Sequence, residues 1–321
     1  MICGKIPCRG SDHALYFIIM QEIMTRAGIL VAAIFLGYLL RRSRFLPPEA
    51  FTVVSRIVLN VTLPCAVIVN FADFQVSGAL LWLFPLGFFC NALYVSAGYL
   101  LGKRQGVEQQ VFGMLNLSGY NIGCFALPYV ASLLGSSAVV SACLFDAGNA
   151  IWATGGTNAL CISMQEGGRL RLGPVFRRIF TSPTIVAYLG MLLLSLIRVR
   201  LPEPILQFAT LVGSANSCMA MLMLGIGMNL NIRPEQLRWI GKAFVIRFGI
   251  ALVLCLAFYH LLPFDRDIRL GAALAAFAPI SSASAAYTGE RGCDVGLASS
   301  WNTITILSSL VFMTLVLLFT A

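Results

Sequence analysis

Of the 321 residues, 59% are hydrophobic, only 11% are charged, and mean hydropathy is +0.86. So few charges cannot cover so much apolar surface in water, which excludes a soluble globular domain, a disordered chain and a coiled coil. The net charge of +9 is not the footprint of a nucleic-acid binder, because Lys and Arg fall in short connections between apolar runs, the distribution of a membrane protein.

A spanning helix needs about 20 apolar residues. The apolar runs predict ten, near 23–40, 50–71, 77–101, 107–133, 137–161, 181–200, 204–229, 239–262, 268–287 and 294–320. Residues 1–22 read as an N-terminal extension: Gln21, Glu22, Thr25 and Arg26 interrupt the apolar text, and translation from Met20 or Met24 would leave an ordinary first helix. The positive-inside rule orients the chain. Arg41, Arg42, Arg44, Lys103, Arg104, Arg169, Arg171, Arg177, Arg178, Arg233, Arg238, Lys242 and Arg291 outweigh Lys5, Arg9, Arg198, Arg200, Arg266 and Arg269 in the opposite connections. The first set is expected in the cytoplasm and both termini outside, in the cell (inner) membrane.

Gly37, Pro64, Pro128 and Asn149 recur at nearly the same spacings as Gly190, Cys218, Pro279 and Asn302. The chain therefore divides into a first five-helix repeat, 23–163, a basic cytoplasmic linker, 164–180, and a second five-helix repeat, 181–321. Five spans per half make the repeats inverted, the arrangement of many secondary transporters. Spans four and nine carry Pro128 and Pro279 at membrane depth, with Asn121 and Gly123 near the first and Ser281 and Ser282 beside the second. Proline removes a donor and blocks the helix, so both spans are predicted to break. The half-helix ends then lie near the midplane, where their partly positive N-termini favour an anion.

Asp146 is the only acid placed deep in a span, and such residues usually face a cavity or a partner. It is the candidate coupling residue, with proton carriage, cation binding or organisation of a neighbouring Asn as its open roles; the bland alternative is solvation near the outer helix end. Asn149 lies three residues on, on the same face. The candidate substrate site is thus Asn121, Gly123, Pro128, Asn149, Pro279, Ser281, Ser282 and Asn302. Asn116, Asn70 and Asn216 are equally well read as helix glue. Arg56 and Arg247 read as cations snorkelling to the interface, and Met219, Met221, Met223 and Met228 as packing. With only His13 and His260, no metal site is expected, and no cofactor. Walker A, HExxH and the GxSxG elbow are absent from the sequence, so the chain reads as no enzyme.

These residues resemble the auxin efflux carrier family, in its bacterial branch. The resemblance lies in Gly37-Tyr38-Leu39-Leu40-Arg41-Arg42 with Leu46-Pro47, Val61-Thr62-Leu63-Pro64, and Gly119-Tyr120-Asn121-Ile122-Gly123 with Phe125 and Pro128. It continues through Asp146 and Asn149, Ser182-Pro183, Asn216 to Met221 with Leu224-Gly225, and Pro279, Gly292, Asp294, Leu297-Ala298 and Asn302. It implies an all-α fold of ten helices in two inverted repeats, with broken helices four and nine crossing at the midplane as in bile acid:sodium symporters. It also implies a scaffold part and a moving part, a homodimer, and a small organic anion such as auxin or malate as cargo. Cys218 stands where the family often has Pro, Cys124 where relatives often carry Asn, and no acid stands where the symporters place a sodium-binding Glu. Proton-linked transport through Asp146, or uncoupled transport, is the leading expectation, sodium symport the alternative, and a non-transporting membrane sensor or enzyme a third reading.

Overall fold

The computed structural model describes residues 11–47, 49–72, 74, 77–168, 170 and 173–320. Lys5, Arg9, Arg169 and Arg171 of the charge count, and residues 1–10 of the extension, lie outside them. Every regular element among the described residues is helical.

Helix α1 (Ser11–Arg42) runs unbroken through the polar text that was expected to interrupt it. The polar side chains find partners within the helix on an exposed face: Arg26 pairs with Glu22, and the Thr25 hydroxyl donates to the backbone carbonyl of Gln21. Helices α2 (Ala50–Ile57) and α3 (Leu63–Ala72) are joined by a wide turn, Val58–Thr62. Pro64 has no N–H for the Asn60 carbonyl, and the helix responds by letting the Leu63 N–H reach back to the Val58 carbonyl. Then come α4 (Leu83–Gly102), α5 (Val107–Leu117), a break, a second wide turn at Ile122–Ala126 ahead of Pro128, and α6 (Leu127–Leu133). Helix α7 (Ser136–Ile151) continues through a third wide turn, Trp152–Gly156, into α8 (Thr157–Glu166); Gly155 takes φ +145° there, a conformation side-chain-bearing residues rarely adopt.

Helix α9 (Gly173–Thr181) covers the second half of the expected linker, runs one residue past it and meets α10 (Pro183–Leu196) at 72°. The chain continues through α11 (Glu203–Gly213), α12 (Asn216–Gly227), α13 (Leu237–Leu261), α14 (Arg266–Ala276), α15 (Ser284–Glu290) and α16 (Val295–Thr320). Among the described residues six helical stretches are long and apolar enough to cross a membrane, and the bent α9–α10 pair would make up to seven. The expected spans 107–133, 137–161 and 268–287 are instead built from shorter pieces, α5–α6, α7–α8 and α14–α15.

Helices α4, α5, α7, α13 and α14 pack as one group, α1 lies along α12, and α3 packs between α10 and α11. The first group is held at backbone contact. A Cβ on Gly148 of α7 would collide with the Phe84 carbonyl of α4, and one on Gly87 of α4 with the Phe145 carbonyl of α7. Close approach of this kind is how helices associate where no hydrophobic force draws them together. Gly148→Ala is expected to destabilise the purified protein by roughly 1–3 kcal/mol, the usual cost of overpacking. Gly190→Ala, whose Cβ would meet nothing within 4 Å, is the control. Thermal unfolding in detergent measures both, and equal melting temperatures would count against the contact.

Candidate functional site

The breaks after α5 and α14 meet. The Asn121 backbone N–H donates to the Pro279 carbonyl at 2.8 Å, and the Asn121 Nδ2 donates to the Ser282 hydroxyl at 2.7 Å. Gly119 makes the contact sterically feasible: its φ is +77°, and a Cβ there would lie 2.9 Å from that of Ser281.

Asn149 pins this junction from α7. Its Oδ1 accepts from the Tyr120 N–H at 3.0 Å and from Asn91 Nδ2 at 2.7 Å, while its Nδ2 donates to the Tyr120 carbonyl at 2.9 Å and to Asp146 Oδ1 at 2.8 Å. Asn91, on α4, completes the clamp by accepting from the Gly119 N–H at 2.9 Å. Both hydrogens and both lone pairs of the Asn149 amide are therefore spent on protein groups. Expected as a substrate ligand, it acts in this conformation as the support of the break.

Asp146 is 8% exposed, which overturns the reading of a solvated acid at the outer helix end. Besides Asn149, the Tyr188 hydroxyl of α10 donates to its Oδ2 at 3.0 Å, and it forms no ion pair among the described residues. A carboxylate with two neutral donors and no cation beside it is equipped to take up a proton or a cationic partner.

Beside the junction opens a cavity of about 450 Å³. Its wall includes Asn121, Gly123, Asp146, Asn149, Ser281 and Ser282, and extends to Arg56 on α2 and Arg178 on α9. Pro128, Pro279 and Asn302 do not line it. Pro128 is buried in α6, and Pro279 supplies the bridging carbonyl. Asn302 sits in α16, where its Oδ1 is buried without a hydrogen-bond partner among the described residues. Asn116 and Asn216 are glue: Asn116 joins α5 to Thr288 and Ser284 of α15, and Asn216 accepts from Thr62, while Asn70 donates within its own helix. Met221 and Met223 are buried in the core.

The snorkelling expectation for Arg247 is wrong. At 1.5 Å per residue it lies roughly 15 Å along α13 from Leu237, half the thickness of a hydrocarbon core, and it is 1% exposed. Its Nη1 donates to the Leu117 carbonyl at 2.6 Å and its Nη2 to the Ala278 carbonyl at 2.8 Å. The depth count was available in the sequence. Asn91, a lone amide in an apolar helix, and Tyr188 were passed over, and only the first carries a sequence signal.

A chain whose regular elements are helical throughout the described residues, with this many apolar helices and a cavity beside two joined helix breaks, is a multi-pass membrane protein. It belongs to the membrane transport protein family, the family of the auxin efflux carriers, whose profile matches residues 23–317. An uncharacterised transporter of Methanothermobacter thermautotrophicus is 26% identical over 303 residues, covering 92% of this chain and 97% of that one. The chain is thus a membrane transporter rather than an enzyme.

Proposed function

We propose that this transporter carries a small organic anion, a malate- or auxin-like carboxylate, by alternating access at the junction of α5–α6 with α14–α15. The observation that carries the reading is the cavity: its wall unites both breaks, the lone deep acid and two arginines. A volume of about 450 Å³ falls in the ordinary range for small-molecule sites, roughly 300–1,000 Å³. The Asn121 side chain and the Ser281 and Ser282 hydroxyls offer neutral hydrogen bonds, and Arg56 and Arg178 offer charge to a carboxylate. In this reading Asn149 positions the break, Gly123 leaves room at the wall, and Asp146 carries a coupled proton.

The ten-span, inverted-repeat arrangement with both termini outside puts Arg56 and Arg178 on the cytoplasmic side, so the cavity faces inward. In the same reading α1, α3, α10, α11 and α12 form the static part, through which two copies would pair in the inner membrane.

The test is uptake of labelled malate, malonate, succinate and indole-3-acetate by proteoliposomes, with proton and sodium gradients imposed separately. Saturable uptake of one carboxylate driven by the proton gradient is expected, and drive by sodium alone would transfer the coupling to sodium. Asn121→Ala is expected to raise the apparent KM for that carboxylate about tenfold, the loss of one hydrogen bond to a charged group; an unchanged KM removes Asn121 from the site. Folded protein that moves none of the four under either gradient would defeat the carboxylate reading.

A further inference from the structure

The transport reading leaves one buried ionic group unused, the guanidinium of Arg247. A charge at this depth is costly unless it is compensated, and no carboxylate pairs with it among the described residues. Its compensation comes from the breaks. Leu117 is the last residue of α5, and Ala278 lies just beyond the end of α14. Carbonyls at such ends lack intrahelical donors and carry the negative pole of the helix dipole. One nitrogen of the guanidinium serves each end, at 2.6 and 2.8 Å. Its Cζ lies over the Tyr94 ring, 4.3 Å from the centroid, and over that of Tyr120 at 4.8 Å, and the Tyr94 hydroxyl donates to the Arg247 carbonyl. The planar fork suits this double duty; an ammonium is a point charge and cannot reproduce it.

Two half-charges match a full positive charge in sum, but they are spread over the carbonyls of the helix ends and do not coincide with the guanidinium. Its field on the Tyr120 side is therefore reduced rather than cancelled, and arginine stays ionised at any working pH. Tyr120, whose ring lies under the guanidinium Cζ, is also part of the cavity wall. We propose that Arg247 is a positioning and specificity-determining residue. It holds the two helix breaks in register from behind and gives the cavity a fixed positive potential that favours an anion over a cation of the same shape. This rests on the cavity being the cargo site, but its test needs no cargo, so its failure would leave the carboxylate reading standing.

Potential in the cavity is read with a thiol in its wall, Ala283→Cys. The full-length protein in liposomes is treated with a sulfonate-bearing and a trimethylammonium-bearing methanethiosulfonate of similar size, and the native cysteines are subtracted using protein without the added thiol. The ratio of the anionic to the cationic rate is compared for Arg247, Arg247→Lys and Arg247→Gln. Arg247→Gln is expected to lower the ratio at least threefold, and the fall should persist at 0.5 M salt because the charge is buried. Effects of Arg56→Gln and Arg178→Gln should fade there, since exposed charges are screened within about 10 Å even at 0.1 M. Arg247→Lys should keep the ratio and lower the melting temperature, because it keeps the charge and loses the fork. A purely structural role would move both rates together, and an unchanged ratio in Arg247→Gln overturns the proposal. Should that variant not fold, the triple variant Arg56→Gln, Asp146→Asn, Arg178→Gln removes every charged side chain of the wall among the described residues and leaves Arg247 behind it. The wall thiol must then still favour the anionic reagent relative to 2-mercaptoethanol in solution; no preference overturns the proposal equally.

Discussion

Asn149→Ala is expected to cost roughly 3–5 kcal/mol of stability and to abolish transport. The size follows from what the amide leaves behind. Alanine strands the Tyr120 N–H and carbonyl, one Asn91 hydrogen and one Asp146 oxygen, all of which the amide now satisfies at 2.7–3.0 Å. A buried polar group left without a partner costs about 1–3 kcal/mol, and partial relaxation keeps the sum below the arithmetic total. Asn149→Asp should do as much damage. It keeps the acceptor but loses both donors, and it puts a second acid one turn from Asp146. Asn70→Ala is the control, because that amide donates only to the Ala66 carbonyl in its own helix. Thermal unfolding in detergent reads all three, and an Asn149→Ala protein that melts with the parent would mean the clamp does not hold the break.

What the sequence could say about this region divides along physical lines. Hydropathy depends on composition alone, so the apolar stretches are legible, and Pro128 and Pro279 announce broken helices because proline cannot donate wherever it stands. The encounter of the breaks through Asn121 and Pro279 is a long-range backbone bond that no local signal encodes. Helix α9 was hidden by its Arg content. Val175 and Ile179, one turn apart, are buried, and Phe176 and Phe180 are exposed, a pattern visible only once the segment is considered as a helix rather than a linker.

The proposed equivalence of Asn149 and Asn302 shows the limit of spacing arguments. Asn149 holds the first break. At the second the Ile280 N–H meets the Thr305 hydroxyl at 3.4 Å, and Arg247 takes the Ala278 carbonyl, so Asn302 has no clamp to form. Similar positions in two halves of a chain need not carry the same duty once the neighbours differ. For Asp146 the residue type and its depth pointed to burial, while its partner Tyr188, contributed from α10, could not be read from either.

Asp146→Asn is expected to separate cargo movement from the proton. The amide is nearly the same shape, and its oxygen can still accept from Tyr188 or Asn149, the donors that now lie 3.0 and 2.8 Å away. One of the two donors must then face an N–H₂ group, a cost of about 1–3 kcal/mol that the fold should survive. What the amide cannot do is gain or lose a proton. If Asp146 couples transport to protons, uptake by the variant should no longer respond to an imposed pH gradient, while exchange of labelled for unlabelled carboxylate at equal pH continues. Tyr188→Phe supplies the contrast: it removes one donor and leaves the acid, so gradient-driven uptake should persist at altered affinity. Loss of exchange as well as of gradient drive in Asp146→Asn would make the acid a ligand or a support rather than the carrier of the proton. Full retention of the pH response would place coupling elsewhere, and no other acid lines this cavity among the described residues.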